Sequence, residues 1–153
     1  MMKRILSGVV LFWALYFSAV TASNAADLLQ HLGALGPGWS WVSGNFGLLQ
    51  ILFESFKLPF AAEVAMFLII IAVEAAAAAL FWRAWRHSMG AGSFPVQEAQ
   101  AAFATAMGLF AAFTVGMEAI ATEAAYSHEP LYFTELIALM LGLLLLRVPD
   151  RQG

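Results

Sequence analysis

The chain has 153 residues, 62% of them hydrophobic and 11% charged, with a formal net charge of −3. Soluble domains carry about 25% charged residues, so there is too little polar surface here to cover a water-soluble globule. The absence of cysteine excludes a disulfide framework, an iron–sulfur cluster and a thiolate metal site. Seven scattered Lys and Arg residues make no nucleic-acid footprint.

A membrane-crossing helix needs about 20 mostly apolar residues. Four stretches qualify, at about 5–22, 61–85, 98–121 and 131–146. They are apolar all round, as lipid-facing helices should be. The pattern predicts an all-α, membrane-spanning four-helix bundle in a single domain, with 23–60 as an outer loop.

The first stretch, 5–22, follows Lys3 and Arg4. Residues 1–25 also resemble a secretory signal, with Ser23-Asn24-Ala25 as the cleavage site. The length of the apolar run and the bulk of Trp13, Tyr16 and Phe17 favour a retained helix. In the loop, Gly36-Pro37-Gly38 is a breaker, and Trp39 and Trp41 suit the headgroup layer. Within Leu48 to Lys57, Gln50, Glu54 and Lys57 stand three and four apart. That spacing gives the polar stripe of a short helix lying in the interface. It reads first as a connector, and alternatively as a cap over the bundle's outer mouth or a docking surface.

Glu74 stands near the middle of the second stretch, 61–85. A carboxylate at that depth costs several kcal/mol on most scales, so such residues usually face the bundle interior and often carry function. One reading is a proton or cation relay or a ligand contact. The other is a neutral carboxyl hydrogen-bonded to a neighbouring helix. The turn cluster Ser88 to Pro95 then separates the second helix from the third.

In the third stretch, 98–121, Ala104, Gly108, Ala112 and Gly116 recur every four residues. Such a ribbon of small residues lets another helix approach closely. Ala72 and Ala76 of the second helix make a plausible partner within the chain, and assembly with a second protein is the alternative. Tyr126 to Pro130 reads as the last turn, with Pro130 at the first position of the fourth helix.

Threading four helices puts Lys3, Arg4, Arg83, Arg86, Arg147 and Arg151 on one side and Lys57 on the other. That asymmetry predicts cytoplasmic termini. Asp27, Glu54, Glu63, Glu123 and Glu129 gather at the opposite face. Glu118 and Glu135 are each expected about a turn inside the outer ends of their helices, above Glu74. Together these groups suggest an acidic vestibule, or interfacial side chains reaching for headgroups and water. His31, His87 and His128 all fall outside the mid-membrane region, which argues against a haem held by paired histidines. No nucleophile elbow, phosphate loop or zinc-protease pattern is present, so no cofactor, metal or catalytic residue is expected.

Ile69-Ile-Ile-Ala-Val-Glu74, Ala79-Leu80, Arg83-Ala-Trp-Arg86, Phe103, Gly108 and Val115-Gly-Met-Glu118 together resemble a bacterial family of small four-helix integral membrane proteins of unknown function. Asn24, Asp27 and Gln30-His31-Leu32 match that family's outer stretch after the first helix. The chain departs from the pattern after Glu118, where Ala119 to Ser127 replaces a Trp-rich segment. The resemblance implies a bacterial cytoplasmic membrane, with Glu74 and Glu118 as shared positions.

Three functions follow in order of expectation. The first is a noncatalytic accessory subunit, bound to lipid and to a membrane-protein partner or a second copy. The second is a proton- or cation-coupled transporter or channel using Glu74, Glu118 and Glu135. A membrane enzyme or cofactor-binding bundle comes last.

Overall fold

A computed structural model describes residues 2–120 and 123–147, without the side chains of residues 55 and 123–126. The carboxyl of Glu123 and all of Arg151, both used in the sequence reading, lie outside the described residues. Every regular element among the described residues is helical: α1 (Met2–His31), α2 (Asn45–Phe53) with a 3-10 turn (Glu54–Phe56), α3 (Phe60–Ser88), α4 (Val96–Ile120) and α5 (Glu123–Leu145). Four of them, α1, α3, α4 and the Ser127–Leu145 part of α5, are long and apolar enough to cross a membrane. The protein is an all-α, multi-pass membrane protein.

The long helices alternate in direction. α3 packs on α1, α4 on α3 and α5 on α4, while α2 touches α1, α3 and α5 at one end. At the opposite, basic end, Lys3 Nζ donates to the carbonyls of Gly90 and Gly92 at 2.6 and 2.8 Å. That pair of bonds pins the start of α1 to the α3–α4 connection. Beside it Glu98 takes Arg83 at 3.3 Å and His87 at 2.6 Å.

Lipid is as apolar as leucine, so close packing rather than expulsion of apolar groups from water holds membrane helices together. Here the packing is aromatic. Phe17 stacks on Phe81 with ring centres 5.9 Å apart, and Phe81 meets Phe103 edge-on at 5.0 Å. Trp13 and Phe110 complete a cluster buried between α1, α3 and α4 in the half nearer the basic end. α5 closes on it at Gly142, where an added Cβ would come within 2.5 Å of the Phe103 ring. Phe12, Leu15, Ile69, Val115, Phe133, Ile137 and Leu144 point outward, as a lipid-facing surface requires.

Two boundaries and one packing face differ from those expected. α1 does not end near residue 22. It runs to His31, so Ser23-Asn24-Ala25 lies inside a helix and the loop starts later. Hydropathy falls at Asn24 and Asp27, but both side chains are buried and bonded, so the helix has no reason to stop. It ends at Gly33, whose φ of 73° suits glycine. There the amide of Ala34 bonds back to the Leu29 carbonyl and that of Gly33 to Gln30.

Pro130 does not start the fourth helix either; it lies inside α5. A proline removes one backbone donor, yet membrane helices tolerate it because an unpaired backbone in lipid costs more than a local distortion. The Thr134 hydroxyl donates to the Pro130 carbonyl at 2.7 Å. Residues 126–130, expected as a turn, are therefore helical.

The ribbon Ala104, Gly108, Ala112, Gly116 is not the packing seam within the chain. The buried face of α4 is Ala99, Ala102, Phe103, Ala106, Leu109, Phe110 and Met117. Ala104 and Gly108 each stand two residues from Ala106, about 200° around the helix, and are exposed with Ala112. A four-residue repeat drifts about 40° per step, so only Gly116 rotates back far enough to be half-buried. Ala72 and Ala76 are also exposed rather than paired with the ribbon.

Candidate functional site: an intramembrane cavity

Buried positions on α1 and α3 follow a seven-residue spacing, the seam along which two helices keep facing each other. On α1 the seam runs Val10, Phe17, Asn24; on α3 it runs Phe67, Glu74, Phe81, Ser88. The helices are antiparallel, so one step from the Phe17–Phe81 stack toward α2 brings Asn24 against Glu74. Asn24 Nδ2 donates to both carboxyl oxygens of Glu74, at 2.7 and 2.8 Å. Its Oδ1 accepts from Asn45 Nδ2 at 2.9 Å. A hydrogen-bonded chain thus runs from mid-membrane Glu74 through α1 to the first turn of α2.

A second anchor lies one turn further along α1. Buried Asp27 accepts the Phe46 amide at 2.8 Å and the Ser43 hydroxyl at 3.0 Å through Oδ2. A carboxylate at the start of a helix satisfies an otherwise unpaired amide and suits the helix dipole. Gly44, at φ 76°, supplies the left-handed turn before α2. Phe46 meets His31 and Phe67 at 4.9 and 5.2 Å between ring centres. Gln50 donates to Glu63 at 2.9 Å. α2 therefore buries Phe46, Leu49 and Leu52 and lies over the bundle as a cap. Of the expected polar stripe, Gln50 is bonded to α3, while Glu54 and Lys57 face outward.

Beneath α2 is a cavity of about 340 Å³ to which all five helices contribute. Leu48, Leu49, Leu52 and Phe53 of α2 roof it. Phe110 and Tyr16, part of the aromatic cluster, close it toward the basic end. Most of the lining is apolar. Its polar groups among the described residues are Tyr16, Asn24, Asn45, Glu74, His128, Tyr132 and Glu135, and none of the described lysines or arginines lines it.

Glu135 reaches the cavity from α5 and accepts the Tyr16 hydroxyl at 3.0 Å through Oε1. Backbone approaches between α1 and α5 are few, so this bond is the clearest link across their seam. Glu135 is twelve residues inside α5, roughly 18 Å from its start, instead of one turn, because the helix begins before Pro130 and not at it.

Of the three candidate glutamates, Glu74 and Glu135 line the cavity. Glu118 is exposed near the end of α4 and does not. Asn24, Asp27, Asn45, Tyr16 and Tyr132 complete the polar framework; sequence reading placed Asp27 in the acidic outer vestibule and Asn24 in a cleavage site, used Tyr16 only for its bulk, and gave Asn45 and Tyr132 no role. The seven-residue register that places Asn24 after Phe17, and Glu74 between Phe67 and Phe81, is the signal that would have marked the first contact. Among the described residues no three His, Asp or Glu side chains come together as a metal site would need. No family model, curated protein or solved structure matches the chain.

Proposed function

We propose that the protein is a noncatalytic, carboxylate-dependent membrane carrier that takes a solute into the capped cavity at Glu74 and Glu135, coupled to protons or cations. One observation supports this above the rest: two carboxyls from helices distant in sequence meet at a single apolar cavity within the span. Intramembrane carboxyls are rare, face the bundle interior or a cavity, and mark substrate, ion or proton pathways. A mostly apolar pocket with a few convergent polar groups is the usual form of a ligand site.

The aromatic plug of Trp13, Phe17, Phe81, Phe103 and Phe110 fills the other half of the bundle. That argues for a carrier that rearranges and against an open channel. α2 acts as the lid, and Asn45–Asn24–Glu74 ties lid position to the state of the carboxyl. The basic end faces the cytoplasm on the positive-inside rule, which places cavity and lid on the outer side. The resemblance to small bacterial membrane proteins supports a bacterial cytoplasmic membrane. Retention of residues 1–25 belongs to the same proposal, because cutting after Ala25 would remove Phe17, Asn24 and Tyr16.

In proteoliposomes, Glu74→Gln abolishes a proton- or cation-coupled flux that the native protein supports. An unchanged flux removes the proposal. An accessory-subunit role is the second reading, favoured by the outward small residues Ala104 and Gly108, with open space at Gly108. Purification in mild detergent then yields a stoichiometric membrane partner, and a lone monomer counts against it.

A further inference from the structure

We propose that the ligand of the cavity is a compact organic cation, an amine or quaternary ammonium carrying one ring or a short branched chain. This class rests on the carrier function proposed above. Glu74 already has both oxygens engaged by Asn24. Glu135 uses one oxygen for Tyr16, and its Oε2 accepts from no described residue. Among the described residues no lysine or arginine lines the cavity and His128 is its one basic side chain, so the two carboxyls outnumber the cationic groups on the wall and an ionised pair leaves negative charge for the ligand to meet.

The remaining walls choose between kinds of cation. A hard metal ion asks for six or more oxygen ligands, and this lining is mainly hydrocarbon and ring. Tyr16, Phe53, Phe67, Phe110, Phe113 and Tyr132 all border the space. Aromatic faces attract ammonium groups, most strongly where water is excluded. Phe110, Phe113 and Tyr132 form a connected group, with Phe113 and Tyr132 ring centres 5.0 Å apart. Tyr132 stands one turn before Glu135 on α5, so a ring face and a carboxylate approach the cavity from the same helix. The volume of about 340 Å³ is at the small end of ligand sites, which span roughly 300–1,000 Å³, so a single ring with short substituents fits.

The test is calorimetric binding of benzyltrimethylammonium against its uncharged isostere neopentylbenzene, using the full-length protein in detergent. The native protein prefers the cation by at least about tenfold, the scale of a desolvated cation–π contact with a carboxylate nearby. Glu135→Gln brings the two ligands to parity and Glu135→Asp restores part of the preference, each with an unchanged melting temperature. The comparison in the native protein needs no variant, so it decides even if Glu135→Gln fails to fold. Equal or tighter binding of the isostere overturns the organic-cation class and leaves the cavity as a solute site. Binding of neither, with a Glu74-dependent flux of protons or inorganic cations intact, overturns the class alone. Binding of neither, with no such flux, overturns the carrier function as well.

Discussion

Asn24 holds both carboxyl oxygens of Glu74 through one amide nitrogen while Asn45 holds its own carbonyl. The two residues are fifty positions apart, and each is nearly inaccessible. A buried carboxyl stripped of its donor keeps its full desolvation cost, which exceeds the net value of the bond it lost. Asn24→Ala therefore lowers stability by about 2–3 kcal/mol, read as a fall in melting temperature in mild detergent. Glu74→Gln, which keeps an acceptor facing Asn24, costs about 1 kcal/mol or less. Equal losses for the two would contradict this pairing.

Asp27 is expected to govern α2 more than the bundle. Replacing it with alanine leaves the Phe46 amide and Ser43 hydroxyl without their acceptor and lowers stability by about 1–2 kcal/mol, the usual range for a lost helix cap. Hydrogen exchange localises the effect: amides of Gly47 to Phe53 exchange faster, and those of Ala77 to Ala84 stay as protected as before. Loss of protection throughout α3 would show that the cap and the bundle unfold together.

Gly142 and Gly108 form a matched pair. A methyl group at 142 meets the buried Phe103 ring, whereas one at 108 meets nothing within 4 Å. Gly142→Ala costs about 1–3 kcal/mol through overpacking, because Phe103 is itself held by Phe81. Gly108→Ala is neutral or slightly stabilising in thermal melts, since alanine is the better helix former by about 1 kcal/mol. A clear loss at 108 would mean that a partner or second copy covers the ribbon.

The chain contains no cysteine, so single cysteines report sidedness without background. A membrane-impermeant maleimide added to intact cells labels Ser40→Cys in the α1–α2 loop and leaves Ser93→Cys in the α3–α4 loop untouched until the membrane is opened. The reverse pattern would invert the orientation proposed from the basic residues.

The spans were legible because hydropathy and length state the bilayer's demand directly, and four long apolar helices answer it. Their ends were less so. At Asn24 the drop in hydropathy hides a buried hydrogen bond whose partner lies fifty residues away. At Pro130 the preference of proline for a first turn gave way to the cost of unpaired backbone in lipid. Spacing showed that Ala104, Gly108, Ala112 and Gly116 form a ribbon, but a repeat of four carries no information about which neighbour it faces. Glu74 stood out as a charge among alanines, and Glu135 looked peripheral only because its helix was started too late. Asp27 looked like one more rim carboxylate because its partner is a backbone amide, which leaves no mark in the sequence.

The most direct test places a ring inside the proposed solute chamber without touching its carboxyls. Gly116 borders that space, and a side chain there meets no atom within 4 Å at its Cβ. Gly116→Phe should abolish the Glu74-dependent flux while melting stays native-like, and Gly108→Phe, about 80° around the same helix and outside the cavity lining, should leave the flux intact. A native flux through the Gly116→Phe protein would contradict solute passage by way of Glu74 and Glu135.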